Sequence, residues 1–226
     1  MFTGVFQMFE IDLEWPVASG YEVRPVGERD FAIYPREGAT VALRRPLESN
    51  PSLYAEFARL DGSEQSCLQF AQKYGLLGVD HYRDDLIVDL YKIHSLRYWR
   101  WAVAYIGRVI DFCQLGVSNP AEALRQFGKQ EFRLQGELEL FLSTKSSKSP
   151  PSIDMRCKQL LGAIELQAIR SIISGRRAMQ CIECSTWFEI GGGARRSLAK
   201  FCSIRCKDSY HNRLKASTRV KQSKGK

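Results

Sequence analysis

Four cysteines in two close pairs stand near the carboxyl end of this 226-residue chain. Two residues separate Cys181 from Cys184, three separate Cys202 from Cys206, and 17 residues lie between the pairs. Each pair places two thiolates close together, and the spacer lets the chain fold back so that four sulfurs can surround one tetrahedral ion. An odd total of seven cysteines also argues against a disulfide framework. The pattern predicts a metal site, and an all-thiolate tetrahedron favours zinc.

The residues between and after the cysteine pairs predict the local fold. TWFEI is typical of a strand, GGGARRSLA of a turn and KFC of a second short strand. The segment CSIRCKDSYHNRLKAS is typical of a helix that begins near the third cysteine, with Ser203 as its N-cap. Ile204, Tyr210 and Leu214 are expected to pack that helix against the hairpin. A knuckle, a hairpin and a ligand-bearing helix in this order describe a treble clef. His211 is a weaker candidate ligand, because four cysteines already fill a closed site.

Positive charge is concentrated around the cysteines. Residues 176–226 contain 13 Lys/Arg against three Asp/Glu, whereas the remaining residues contain 20 against 22. A net charge of +10 in so short a segment attracts polyanions, so nucleic acid is the expected partner. Asn212 and Arg213 are of the types that can also read base edges. The predicted contacts are Arg195, Arg196, Lys200, Arg205, Lys207, His211, Asn212, Arg213 and Lys215.

Two alternatives to nucleic-acid binding stay open at this point. The first is a protein-interaction module in which zinc only stabilises the fold, with the basic residues forming a solvated surface. The second is a metal-dependent enzyme built on the polar residues of the segment DHYRDDLIVD, namely His81, Asp84, Asp85 and Asp89. Acidic residues at a helix start also complement the helix dipole, and no second motif completes a catalytic site. The chain is therefore not predicted to be an enzyme.

The patterning of the whole chain predicts an α+β protein with two domains. A mixed α+β domain is expected over 1–175, with a small antiparallel sheet in 1–46, mainly helices in 50–175 and a strand near 132–143. The zinc finger is expected over 176–216 and a basic disordered tail over 217–226. The longest helix is expected over 84–116, and a second over 152–174. Expected N-caps are Asn50, Ser63 and Asn119.

The predicted larger domain offers few other chemical signals. Cys67, Cys113 and Cys157 fall on apolar helix faces and are expected to be small core residues. The aromatic stripe in 98–112 is the first place to look for a small-molecule effector. No apolar run approaches the roughly 20 residues that span a bilayer, and the first residues lack a signal-peptide pattern. A cytoplasmic location without a membrane partner is therefore expected.

The segment RRAMQCIECSTWFEIGGGARRSLAKFCSIRCKDSYHNRLK resembles the C-terminal part of bacterial proteins that end in a CGNR-like zinc finger. The preceding helix LLGAIELQAIRSIISG and strand GELELFL belong to the resemblance, which covers about the last ninety residues. Its most specific elements are the CxxC, the Phe-Cys-Ser of 201–203 and the basic helix. At the fourth cysteine this chain has CKDS instead of Cys-Gly-Asn-Arg, and its spacer is three residues instead of four. The resemblance implies a DNA-binding transcriptional regulator whose N-terminal domain senses a signal.

Overall fold

The computed structural model of the protein describes residues 11–28, 30–78, 94–127, 138–143, 152–191 and 198–223. Contacts between residues divide the chain into two compact units, Met1–Ser174 and Gly175–Lys226, here called the N-terminal unit and the C-terminal unit. Both strands and helices occur, and most of the strand pairs are small and antiparallel. The predicted mixed α+β class is therefore confirmed.

The first described residues of the N-terminal unit form short strands, as the sequence composition predicted. They are β1 Ile11–Asp12, β2 Trp15–Ala18, β3 Tyr21–Val26, β4 Asp30–Pro35 and β5 Val41–Arg44. β2 pairs with β5 and β3 pairs with β4, each in antiparallel register. Trp15 is buried, and its indole Nε1 donates a hydrogen bond of 2.8 Å to the backbone oxygen of Leu76. The strands therefore pack onto the helical part of the same unit.

Three of the six described helices of this unit begin after a polar residue whose side chain accepts a hydrogen bond from a first-turn amide. The six helices are α1 Pro46–Ser49, α2 Leu53–Phe57, α3 Glu64–Tyr74, α4 Leu96–Ser118, α5 Pro120–Phe127 and α6 Leu160–Ile173. The predicted caps at Ser63 and Asn119 are confirmed, since their side chains accept hydrogen bonds from the amides of Ser66 and Glu122. Asn50 instead follows α1, and its side chain accepts from the amide of Ser52.

The predicted helix over 152–174 is wrong in its first part. Ser152–Cys157 is a strand, β7, which pairs antiparallel with β6 (Leu138–Ser143) and parallel with β1. Over only six residues, hydrophobic periodicity does not distinguish a strand from a helical segment. Here the segment is a strand because it forms hydrogen bonds with a neighbouring strand on each side. The helix α6 begins only at Leu160. The predicted strand near 132–143 is confirmed for β6, and its earlier residues lie outside the described part.

The structure interrupts the predicted helix over 84–116 at Ser95, and residues 84–93 of that prediction lie outside the described residues. Ser95 caps α4, because its hydroxyl accepts a hydrogen bond of 3.1 Å from the amide of Tyr98. The Ser95 backbone is extended and forms a bridge to Ala32 of β4. A residue that pairs with a strand cannot also continue a helix, so α4 starts at Leu96. The candidate enzyme-site residues His81, Asp84, Asp85 and Asp89 lie outside the described residues.

Aromatic rings and helix faces build the core of the N-terminal unit. Trp99 of α4 is fully buried, with its ring centroid 6.2 Å from that of Phe57 and 6.0 Å from that of Phe70. Cys67 and Cys157 are buried, as expected of small core residues, and Cys113 is half-buried. Burial raises the pKa of the Cys157 thiol to about 12, so this thiol stays protonated. Among the helices of the described residues, none combines the length and the apolar character needed to cross a membrane.

Gly75, which ends α3, is a position where an alanine is expected to destabilise the N-terminal unit. Its φ is +91°, and an added Cβ would lie 2.7 Å from the Pro16 oxygen and 2.8 Å from Trp15 Cδ1. Gly75→Ala should therefore lower the free energy of unfolding by at least about 2 kcal/mol, measured by urea denaturation. Gly107→Ala is the matched control, because nothing lies within 4 Å of its Cβ position. In helix α4 this control should stabilise by about 0.5–1 kcal/mol, and equal effects of the two changes would contradict the explanation.

Candidate metal centre

The four predicted cysteines come together in the C-terminal unit. The sulfur atoms of Cys181, Cys184, Cys202 and Cys206 all lie within 4.8 Å of one another. The Sγ of Cys202 is 3.5 Å from that of Cys184 and 3.4 Å from that of Cys206. All seven cysteines of the chain lie in the described part, and none forms a disulfide there. The cluster can hold a metal ion.

The spacing of the sulfur atoms fits a tetrahedral thiolate site. A disulfide joins its sulfurs at about 2.05 Å, well below the distances in this cluster. A zinc–sulfur bond of about 2.3 Å separates the sulfurs of a regular tetrahedron by about 3.8 Å, close to the observed 3.4 and 3.5 Å. Sulfur ligands in this geometry suit zinc or iron, so the donor set fits the predicted metal without deciding between these two.

The first cysteine pair lies in a tight turn between two strands, β8 Arg176–Gln180 and β9 Trp187–Gly191. The strands pair antiparallel, from Arg176 opposite Gly191 to Gln180 opposite Trp187. The Cys181 amide donates to the Thr186 oxygen at 3.0 Å, and the Ser185 amide donates to the Cys181 oxygen at 2.9 Å. Ser185 has a φ of +58°, a conformation that lets the chain reverse inside the turn. We call Cys181–Ser185 the knuckle.

The predicted pairing of the hairpin was wrong. Residues of KFC, expected to form the second strand, are not in a strand, and β9 pairs instead with β8, which precedes the knuckle. The link between the knuckle and this later segment is a backbone hydrogen bond of 3.2 Å from the Ile182 amide to the Lys200 oxygen. Two antiparallel strands joined by a short turn pair at low entropic cost, which favours β8 over a partner beyond a longer loop.

The second cysteine pair is positioned by the start of the helix α7, Ile204–Ser223. Ser203 caps it as predicted, because its hydroxyl accepts a hydrogen bond of 3.2 Å from the Cys206 amide. Cys206 lies in the first turn of α7, while Cys202 lies just before the cap. The helix continues to Ser223, into residues where the sequence predicted a tail. Residues 204–223 contain neither glycine nor proline, so no residue in this stretch interrupts the helix.

A small hydrophobic core lies beneath the cluster. Phe188 and Ile190 of β9 are buried together with Cys181, and the partly buried Met179, Ala199, Phe201, Cys202 and Cys206 pack against them. Tyr210 is half-buried, with its ring centroid 5.3 Å from that of Phe201. Ile204 and Leu214, which were also expected to pack here, are instead 79% and 46% exposed. The packed face of α7 is the face that contains Cys206. Ile204 and Leu214 lie on other sides of the helix and are therefore exposed to solvent.

The protein environment favours thiolate at the knuckle. Hydrogen bonds from the hydroxyl and amide of Thr186 lower the pKa of Cys184 to about 6. Burial opposes ionisation of Cys181, but backbone hydrogen bonds outweigh it and lower its pKa. Burial and hydrogen bonds with the neighbouring thiols raise the pKa of Cys202 to about 12. A bound cation would therefore have to displace a proton from Cys202.

The predicted nucleic-acid contacts divide into three groups. Arg195 and Arg196 lie outside the described residues. Lys200, Arg205, Lys207, His211, Asn212 and Lys215 are exposed. Arg213 is also exposed, but it forms an ion pair in which its Nη2 lies 2.7 Å from Glu183 Oε2.

Glu183 is a site residue that sequence reasoning missed. It lies inside the knuckle, and its side chain is only 15% exposed. Its carboxylate accepts hydrogen bonds from Ser209 Oγ at 2.8 Å and from Arg213 Nη2 at 2.7 Å, both on α7. The sequence alone does not reveal that Glu183 contacts Ser209 and Arg213, which lie far from it along the chain. The only signal was an acidic residue between two predicted zinc ligands in an otherwise basic segment.

Comparisons of the chain with protein-family models, with curated proteins and with solved structures found no match. A function for this protein therefore has to be argued from its own residues.

Proposed function

We propose that this protein binds zinc through Cys181, Cys184, Cys202 and Cys206 and uses the zinc-organised C-terminal unit to bind duplex DNA. The fold proposed for this unit is a treble clef, with the knuckle, β9 and the ligand-bearing helix α7 as its parts. The proposed role is that of a bacterial transcriptional regulator, in line with the resemblance to CGNR-like zinc fingers. The observation that carries the proposal is a four-thiol cluster directly attached to a helix with exposed cations.

The charge balance around the cluster supports an anionic partner. Glu183 pairs with Arg213, and Glu189 pairs with Arg176 at 3.2 Å. These two carboxylates are therefore already occupied. Among the described residues no carboxylate forms an ion pair with Lys200, Arg205, Lys207 or Lys215. Exposed cations without carboxylate partners repel one another, and phosphate groups would relieve this repulsion with release of counterions.

The proposal is tested by a binding titration with the full chain. Labelled duplex DNA, duplex RNA and single strands are compared at two salt concentrations, with and without a zinc chelator. We expect duplex DNA to bind most tightly, with affinity that falls steeply as salt rises and is lost with the chelator. Binding that is independent of salt and of chelator would contradict the proposal.

Charge reversal at two exposed positions of α7 gives the residue-level prediction. Arg205→Glu and Lys207→Glu should each weaken duplex binding about tenfold or more at low salt, because each replaces an attraction to phosphate by a repulsion. Zinc content should stay unchanged, since neither side chain carries a sulfur ligand. Asp208→Lys is the matched control on the same helix turn and should strengthen binding. Unchanged affinity in both reversal variants would remove these residues from the proposed interface.

A second candidate, the zinc-stabilised protein-interaction module, is favoured by exposed aliphatic side chains near the cluster. Leu198 is 84% exposed, Ile204 79% and Ile182 52%. Large exposed apolar residues in one small unit are typical of surfaces that contact other proteins. The same titration separates the two candidates: absence of binding to every nucleic acid, with zinc bound and the unit folded, would favour the interaction module.

A further inference from the structure

The packed face of α7 has two separate attachments to the rest of the C-terminal unit. Cys206, Ser209, Tyr210 and Arg213 follow one another at helical spacing and therefore share one face. Cys206 belongs to the metal cluster, while Ser209 and Arg213 both donate to Glu183. The knuckle thus contacts α7 at its first turn through sulfur and further along through a carboxylate.

We propose that Glu183 is a positioning residue that holds α7 in its DNA-binding orientation, and that Arg213 is its counter-ion and not a phosphate contact. The burial of Glu183 supports this assignment, while the Arg213 side chain is 64% exposed. The Glu183 side chain is 15% exposed, and it accepts two hydrogen bonds, one of them from a charged donor. A carboxylate in such a place is costly to leave without its partner, so Arg213 is expected to keep this pair when DNA binds.

The exposed cations of α7 other than Arg213 lie on other sides of the helix. By helical geometry Arg205 and Lys207 flank the attached face on opposite sides, and Lys215 lies opposite it. These three residues are exposed and form no ion pair within the described residues. The nucleic-acid surface therefore comprises the flanks and the outer side of α7, and Arg213 does not belong to it.

Glu183 also couples the metal site to the helix. Because it lies between Cys181 and Cys184, a metal that fixes the knuckle also fixes the position of its carboxylate. Conversely, a helix held by Glu183 keeps Cys206 close to the other sulfurs. The carboxylate should therefore contribute to metal affinity as well as to DNA affinity, although it is not itself a ligand.

The test uses the zinc-loaded full chain with the variants Glu183→Ala, Arg213→Gln and the double variant. Lys215→Gln is the matched control, because it also removes one positive charge from α7. Zinc affinity is measured by competition with a chelator. We expect Glu183→Ala and Arg213→Gln each to weaken it about tenfold, the size of one charge-assisted hydrogen bond. The double variant should be no weaker than either single variant, and Lys215→Gln should bind zinc normally.

The second measurement is affinity for a labelled mixed-sequence DNA duplex over a range of salt, and this arm rests on the proposed function. Glu183→Ala should weaken binding although it removes a negative charge, because α7 loses its fixed orientation. Lys215→Gln should reduce the slope of log affinity against log salt by about 0.9, the value for one phosphate contact, whereas Arg213→Gln should leave the slope unchanged.

Several outcomes would overturn the inference: tighter DNA binding by Glu183→Ala, a slope for Arg213→Gln reduced as in Lys215→Gln, or additive losses of zinc affinity in the double variant. If the unaltered protein binds no DNA, the proposed function fails and with it the assignment of a DNA-binding orientation. The zinc competition then still decides whether Glu183 and Arg213 act together on the metal site.

Discussion

Replacing Cys184 with serine is expected to abolish stable zinc binding and to unfold the C-terminal unit. Structural zinc contributes about 10–16 kcal/mol in small zinc-binding peptides. The apolar core of this unit is small, with Phe188 and Ile190 buried beside Cys181 and few partly buried neighbours. So little buried area cannot replace the metal as a source of stability. Loss of one ligand from a closed four-sulfur site should therefore remove both the ion and the fold.

Metal analysis and limited trypsin digestion of the full chain measure this effect. The unaltered protein should retain a single zinc ion and resist cleavage after Arg205 and Lys207, while Cys184→Ser should lose zinc and be cut rapidly there. Cys113→Ser is the matched control, because it removes a half-buried thiol outside the cluster. It should keep the zinc and the protection. Full zinc content in Cys184→Ser, with the protection unchanged, would refute the metal site, and iron in place of zinc would correct its identity.

Trp99→Ala should have the largest effect on the N-terminal unit, lowering its free energy of unfolding by about 3–5 kcal/mol. Trp99 is fully buried and packs its ring against Phe57 and Phe70. Truncation removes apolar contact area and leaves a cavity between α2, α3 and α4 that these rings cannot fill without leaving their own contacts. Urea denaturation followed by far-UV circular dichroism measures the loss.

Trp101 provides the matched control on the same helix. It is 39% exposed and stacks on Tyr105, with ring centroids 5.2 Å apart and planes inclined by 13°. Trp101→Ala should therefore cost only about 1 kcal/mol, the value of one aromatic pair. Equal losses from the two substitutions would show that the described core does not determine the stability of this unit.

Local chemistry made several features of this protein predictable. Ser63, Asn119 and Ser203 cap helices because each side-chain oxygen accepts a hydrogen bond from the backbone amide three residues later. This contact is local and does not depend on where the helix packs. The cysteine cluster was predictable for a similar reason, since two thiols three or four positions apart come close together in a tight turn or at a helix start. The concentration of positive charge near the cysteines is a property of the sequence itself.

Contacts between distant residues were not predictable in the same way. Ser152–Cys157 is a strand because β6 and β1 pair with it, and Leu96 begins α4 because Ser95 pairs with Ala32. Within each short segment, strand and helix differ too little in propensity for the pattern alone to decide. Hydrogen bonding to strands that are distant in the sequence stabilises one of the two conformations and so determines whether the segment is a strand or a helix.

The sequence by itself determined which sulfur atoms cluster and where the positive charge of this protein is concentrated. Only the tertiary structure decided which cation is neutralised, because Arg213 becomes the partner of Glu183 when α7 packs beside the knuckle. An ion pair between residues 30 positions apart depends on the path of the chain between them. Charge can be counted along a sequence, whereas its neutralisation depends on distances in space.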